Sequence, residues 1–545
     1  MKYEIQGGKF WLDEVVDSLF GYLDARKIPG DAEIICAAGM TPSCPIHFGI
    51  FREIFISYFV SEEIKKRGRK SRLVFYWDDY DHFIKIPWFS TRKEMEPWTG
   101  MPLTEVPDPF GKHSSYGEHF MKVFEDDIEI LGMHPEYNYQ SKEYASGEYL
   151  SYIRTALRNR YTVYNIINDV VNPEAQKDDA EKSFFPLEVY CGNCGKDFTR
   201  VTSYDEAADS ISYECKSCGN KGHYRLDDSF RGKLIWKVNW AMRWTHDSVM
   251  YESSGENQLT GTGSYAVASK IASGLFDSEA PFSLLYRFVG MPGIAKVSRA
   301  QGEKSLSSRL VNLVEPAIVR WLFVKNSPDK PMTVDLENGL KRIYAEWDAF
   351  SLKCRSGRAG PEEMRIFQYA TENIPYCIEP IPFPTVVAAA GLTGGSREKV
   401  VRALYLSRKT KLGFEEFRET LYPRFLCAWH LIYTYHMTDD VPVLREVSAA
   451  GEVEMSGQVR AMIAALAEKL SGSEPEDEIQ ELLYSLPKEA LGVPADEKQH
   501  PEVKKLQKEL YKTLYLLFLG KEEGPKLATI LSLVDFEHIK KLLGV

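Results

Sequence analysis

The stretch that most constrains this chain's fold runs from residue 32 to residue 60. Ala32-Glu33-Ile34-Ile35-Cys36-Ala37 reads as a short buried strand. Residues 38–50 hold Gly39, Pro42, Pro45 and Gly49, which mark a tight turn. Phe51 to Val60 then carries the apolar spacing of a helix. Pro45 is tolerated in a helix's first turn, and Ser43 is a suitable N-cap. His47 and Gly49 therefore fall on the first helical turn. Unpaired backbone N–H groups there favour an anion, and Gly49 lets a flat or charged ligand approach the backbone. Such a strand–turn–helix suits the phosphates and base of a nucleotide.

Lys65 to Arg72 is strongly basic, and reads either as a solvated helix end or as an RNA-facing patch. It leads into Leu73-Val74-Phe75-Tyr76-Trp77, a second buried strand followed by Asp78-Asp79-Tyr80-Asp81. Strand, helix, strand predicts a doubly wound parallel sheet of the Rossmann-like kind. Ligands of such sheets bind beyond the strands' carboxyl ends, where His47 and Asp78 would lie. The three carboxylates of 78–81 suit a metal, but supporting a loop is their commoner use.

Cys191, Cys194, Cys215 and Cys218 give Cys-x2-Cys-x20-Cys-x2-Cys, with Gly195 and Gly219 after the second cysteine of each pair. The two-residue gap brings both thiolates of a pair to one ion. Four thiolates close a tetrahedral zinc site with no open position, so the expected role is structural, in a small ribbon inserted at about 186–230. The chain has nine cysteines, an odd number, and this spacing is metallic rather than disulfide-like, which points to a reducing cytoplasm. No apolar window approaches the length of a membrane helix. A net charge of −11 excludes a global field that would attract nucleic acid, so any RNA contact must use local patches.

Residues 105–119 contain two prolines and two glycines among polar side chains, and read as a long structured loop. Lys233 to Trp244 reads as a strand entering a helix, with Trp236, Trp240 and Trp244 on one face and two of the three in the core. At 545 residues several domains are expected. Asn326-Ser327-Pro328-Asp329-Lys330-Pro331 is a natural boundary, beyond which the pattern is helix after helix. Within that region 471–500 contains polar loops on an acidic surface.

Several of these stretches resemble one family. Pro45-Ile46-His47-Phe48-Gly49 resembles the first signature of class I aminoacyl-tRNA synthetases, and the longer run from Thr41 to Glu53 is similar to class I lysyl-tRNA synthetase of the archaeal type. Pro107-Asp108-Pro109-Phe110-Gly111, Ser115-Tyr116-Gly117-Glu118-His119 and Glu143-Tyr144-x-x-Gly147 continue the likeness. Lys296-Val297-Ser298-Arg299-Ala300-Gln301-Gly302 stands where the family has its second signature, a mobile loop whose lysines neutralise charge at the α-phosphate. Leu514 to Leu527 resembles the end of the family's α-helical anticodon-binding domain, so the likeness reaches both ends of the chain.

The resemblance implies a class I catalytic domain over 1–331 with the zinc ribbon inside it, and an anticodon-binding domain over 332–545. It implies ATP-dependent activation of lysine and its transfer to tRNA, specifically tRNA(Lys), with magnesium accompanying ATP. His47 and Lys296 would be catalytic. His47, Gly49, Asn257, Lys296 and Ser298 would hold ATP, and Gly39, Thr41, Trp236 and Gln258 would surround lysine. The chain departs from the family at Cys44 for Gly, Ile50 for Asn, Asn239 for Asp, Gln258 for His and Gln301 for the loop lysine. Gly255-Glu256-Asn257-Gln258 replaces Gly-Lys-Asp-His. The alternative expectation is a paralogue that keeps tRNA or nucleotide binding but has lost or redirected amino acid activation. The sequence sets no oligomeric state.

Overall fold

The computed structural model describes all residues except 8, 172–178, 407–409, 439–440, 446–452, 472–473, 498–499, 535 and 545. The chain forms two compact units. The first comprises Met1–Val311, Val319–Glu337 and Ala359–Asn373, and the second Asn312–Ile318, Asn338–Arg358 and Ile374–Val545.

The first unit is mixed α/β. Its central sheet has the strand order Val249–Glu252, Ile34–Met40, Ser71–Trp77 and Glu136–Tyr139, and every pair is parallel. Ile34 to Ala38 and Leu73 to Trp77 are buried on both faces, which is why they read as unbroken apolar runs. Helix Phe51–Lys66 connects the second and third of these strands, and Tyr116–Ile130 precedes the fourth. Their aromatic faces interlock: Phe51 stacks on Phe124 at 5.6 Å, and Phe55 on Phe323 at 4.7 Å. A second parallel sheet joins Lys2–Tyr3, Ser283–Tyr286 and Ser254–Gly255.

The cysteine-bearing stretch is a three-stranded antiparallel ribbon of Thr199–Asp205, Ser210–Cys215 and Lys221–Arg225. The antiparallel pair Leu187–Val189 and Gly232–Leu234 flanks it in the chain.

The regular elements described in the second unit are α-helical, including Leu340–Arg355, Phe383–Leu392, Phe414–Tyr433 and Pro501–Leu519. Arg424, fully buried, joins three of its segments: it donates to Glu315 at 2.5 Å, to Asp348 at 2.7 Å and to the Ile381 carbonyl. Among the described residues no helix is long and apolar enough to cross a membrane.

Three local expectations are refined by the structure. Residues 471–500 contain polar stretches outside helices, but on either side of a helix, Glu476–Leu491. Pro475 precedes Glu476, Asp477 and Glu478, and acidic side chains in a first turn favour the helix dipole. The 105–119 loop ends early, because Ser115 caps helix Tyr116–Ile130 by accepting from the Glu118 N–H at 3.1 Å. Ser43 is not the N-cap of the nucleotide-type turn. His47 holds that position with extended backbone, followed by the 3-10 turn Phe48–Ile50 and then Phe51–Lys66. The basic run at 65–72 is largely paired internally: Arg67 meets Asp13, Asp17 and Glu63, and Lys66 meets Glu372.

Candidate active site

Two cavities adjoin at the carboxyl end of strand Ile34–Met40. One, of about 280 Å³, is lined by His47, Gly49, Ile50, Asn257, Phe288 and Lys296 among others. The other, of about 450 Å³, is lined by Thr41, Ser43, Asp78, Asp81, Lys233 and Trp236 among others. Gly39 and Gln258 belong to both walls. The structure thus gathers His47, Gly49, Asn257 and Lys296 around the first cavity, and Thr41 and Trp236 around the second.

The two glycines are required by close packing. A Cβ at Gly39 would stand 2.7 Å from the Tyr76 carbonyl oxygen, and one at Gly49 would stand 2.8 Å from His47 Nδ1. The Gly39 N–H donates to Glu53 at 3.1 Å, and the Tyr286 hydroxyl donates to the same carboxyl at 2.7 Å. Burial pushes Glu53 up to about 7, against the lowering effect of Tyr286.

The carboxylates of 78–81 all have protein partners, so their role is to hold the walls together. Asp78 pairs with buried Arg243 at 2.9 Å. Asp79 accepts from the Ser141 N–H at 2.8 Å and from its hydroxyl. Asp81 accepts from the Thr41 hydroxyl at 2.6 Å and pairs with Lys233, which also reaches Glu188 at 3.1 Å. Burial works against the Lys233 charge, but Asp81 and Glu188 outweigh it and hold its ammonium well above the ordinary lysine value.

On helix Trp236–His246 two of the three tryptophans are core, as the spacing suggests. The Trp240 and Trp244 indoles both donate to buried Glu252, at 2.9 and 2.5 Å. Trp236 stacks on Trp240 at 5.1 Å and is left to line the second cavity. Asn239 accepts from the Tyr144 hydroxyl at 2.6 Å and is not among the lining residues of either cavity, so its amide acts behind the wall. Glu256 pairs with Arg287 and lines neither cavity.

In the second-signature stretch, Lys296 lies over the Phe288 ring at 3.7 Å. Ser298 and Gln301 form a capping box: the Ser298 N–H donates to Gln301 Oε1 at 2.7 Å, and the Ser298 hydroxyl donates to it at 2.9 Å. Ser298 is therefore engaged within the loop, outside the lining residues of the first cavity. Gly302 has φ +58°, a conformation that favours glycine.

Two donor clusters are suited to metal ions. Thiolates about 2.3 Å from one tetrahedral ion stand about 3.8 Å apart. Cys191 Sγ lies 3.7 Å from Cys218 Sγ, and Cys194 Sγ lies 3.6 Å from Cys215 Sγ, so the four cysteines fit such an ion. Gly195 and Gly219 take φ +74° and +73° directly behind each pair. The second cluster was not singled out in the sequence. His113 Nδ1 lies 3.2 Å from His119 Nδ1, and Asp108 lies 3.3 Å from His119 and 3.9 Å from His113. Glu53, Lys233 and Arg243 are marked in the sequence only as charged residues within apolar runs, a usable signal of buried pairs.

The family described as class I tRNA synthetases (K) matches residues 9–373. The chain is 30% identical to the lysine–tRNA ligase of Streptomyces coelicolor over 98% of both chains. It is equally similar to the lysine–tRNA ligases of Pyrococcus horikoshii and Thermococcus kodakarensis, at 30% identity over 98% of this chain and 99% of each relative. The site and these matches define an aminoacyl-tRNA synthetase of class I. Within that class, the chain belongs to the lysine (K) family.

Proposed function

We propose that this chain is a lysine–tRNA ligase, with ATP and lysine seated in the two adjoining cavities. The observation that carries this is that Gly39 and Gln258 line both cavities, within a chain similar to lysine–tRNA ligases over nearly its whole length. The lysine carboxylate attacks the α-phosphorus of ATP, forming lysyl-adenylate and releasing pyrophosphate. A terminal ribose hydroxyl of tRNA then attacks the lysyl carbonyl, and AMP leaves. The protein's part is to position the reactants and stabilise charge on the transferring phosphate.

In this assignment His47 and Lys296 act on the phosphates, with Gly49, Asn257 and Ser298 supporting ATP. Gly39, Thr41, Trp236 and Gln258 bound the lysine. The parallel sheet serves as the doubly wound, Rossmann-like class I core. Magnesium bound with ATP would screen the pyrophosphate charge. Zinc at Cys191, Cys194, Cys215 and Cys218 would brace the ribbon, because four thiolates leave no position for substrate. We assign 1–331 to catalysis, with the ribbon at about 186–230 inside it, and 332–545 to the anticodon arm of tRNA(Lys), in the cytoplasm.

The test is ATP–pyrophosphate exchange with each amino acid in turn, followed by charging of tRNA(Lys). Exchange that is strongest with lysine supports the assignment. One observation favours a second reading: Gln301, which stands at the loop-lysine position, is turned inward as a cap. A chain whose lysine activation is lost or redirected would give no exchange with lysine, and either exchange with another amino acid or tRNA binding alone.

A further inference from the structure

The second-signature stretch is anchored at both ends and open between them. At its start the Val297 N–H donates to the Val289 carbonyl at 2.8 Å, and Val297 is buried. At its far end Ser305 is buried, and its hydroxyl donates to the Gly302 carbonyl at 2.9 Å. Ala300, Glu303 and Lys304 are exposed.

The far anchor is fastened to the first signature. Leu306 forms an antiparallel bridge with His47, and the Ser307 N–H donates to the Ile46 carbonyl at 2.9 Å. Ser307 opens helix Ser307–Leu313, and its hydroxyl donates to Asp127 at 2.6 Å. Asp127 lies on helix Tyr116–Ile130, one turn beyond Phe124, the ring that stacks on Phe51. One serine thus ties together the first-signature backbone, the helix that follows the second signature, and the helix packed against Phe51.

Asp127 is 4% exposed and Ser307 2%. Burial pushes the Asp127 carboxyl up to about 7, with the Ser307 hydroxyl working against the rise. An apolar side chain would fill the same place without that cost. Asp127 lines neither cavity, and Ser307 is its side-chain donor among the described residues. What the carboxyl offers is therefore a fixed direction for the Ser307 hydroxyl, and with it a fixed first turn of Ser307–Leu313.

We propose that Asp127 is a positioning residue for activation: through Ser307 it locks the far end of the second-signature stretch to the backbone of Ile46 and His47. The inference rests on the ligase reading above, which places His47 and Lys296 on the phosphates. Both line the first cavity, and the lock keeps the stretch that carries Lys296 in register with the turn that carries His47. Small errors in such a register are costly to the rate, because reacting groups must meet in one geometry.

The test compares full-length wild type with Asp127→Ala, Asp127→Asn, Ser307→Ala and the double alanine variant. Lysine-dependent ATP–pyrophosphate exchange reads positioning, and trypsin cleavage after Lys304, followed by mass spectrometry, reads the lock without catalysis. Each single alanine variant should lower kcat about tenfold, leave lysine KM within about twofold, and speed cleavage about tenfold. Asp127→Asn keeps an acceptor oxygen and should stay within about threefold of wild type in both measurements. The double variant should be no worse than either single one, since the pair acts as a unit. Unchanged kcat in the alanine variants overturns the proposal, whatever the cleavage rate, and so do losses that add in the double variant. An asparagine variant as poor as alanine also overturns it. So does a lysine KM that rises as kcat falls, which would assign Asp127 to the fold at large. Should Asp127→Ala fail to fold, Ser307→Ala and Asp127→Asn decide the matter by the same criteria. Wild-type chain that exchanges with no amino acid defeats the ligase reading, and the cleavage rates then judge the lock alone.

Discussion

The two stretches assigned to ATP depart from the family in different ways. Around His47 the backbone is set by packing: a Cβ at Gly39 would strike the Tyr76 carbonyl, one at Gly49 would displace the His47 ring, and Ile50 lines the wall. Around Lys296 the turn carries Gly302 at positive φ, and Gln301 is engaged in a structural hydrogen bond. Gln301 accepts from both the Ser298 N–H and the Ser298 hydroxyl, so the side chain that replaces the loop lysine stabilises the loop's own conformation. Gln301 thus serves the conformation of the loop, and Lys296 is the charge that the stretch still offers.

The largest effects should come from removing what each stretch still offers. His47→Ala and Lys296→Ala are each expected to lower exchange with lysine by about two to three orders of magnitude, the usual cost of one preorganised group at a developing charge. Unequal losses would sharpen the comparison. A loss below tenfold for Lys296→Ala alone would mean that the second stretch has left the reaction.

Restoration is the smaller effect. Gln301→Lys, combined with Asn257→Asp and Gln258→His, should raise exchange by about tenfold. Gln301→Lys also removes the capping acceptor, at a cost of about 1 kcal/mol to the loop. If exchange does not rise while the loop stays ordered, the family's groups are not what limits this chain.

Cys215→Ser tests whether either stretch depends on the ribbon. One zinc per chain is expected in the wild type and close to none in the variant, by metal analysis. The ribbon should lose protection from proteolysis, because binding energy of such an ion is folding energy. Exchange should change by no more than a few-fold, and a loss as large as that of His47→Ala would place the ribbon in the catalytic machinery.

The sequence made the local elements around the site legible wherever spacing carries chemistry. Cys-x2-Cys pairs with a glycine behind each, tryptophans every four residues, and an unbroken apolar strand all have one economical structure. What escaped was set by partners distant in the chain. Lys233 finds Asp81 and Glu188, and Arg243 finds Asp78. No spacing rule predicts those meetings. Glu476–Leu491 escaped for a different reason: its acidic first turn was read as solvated loop, although the same residues are an N-terminal signal. Ser43 has the residue type of a cap, but the extended backbone of His47 decides the position.

The smallest effect concerns a group behind the first stretch. Glu53 is buried on helix Phe51–Lys66, where it accepts from Gly39 and Tyr286. Burial raises it from 4.5 to about 7. Between those values the folded chain binds a proton that the unfolded chain has released, so this group makes stability fall as pH rises. Its penalty is absent below pH 4.5, grows from there to pH 7 and is complete above that. Glu53→Gln stays neutral throughout, while keeping an oxygen that can accept. Thermal unfolding of the two proteins from pH 4.5 to 8 should therefore show the variant gaining on the wild type as pH rises, with the gain levelling off above pH 7. A constant difference over that range would mean that Glu53 ionises as an ordinary glutamate. The intact first stretch would then carry no electrostatic cost that distinguishes it from the second.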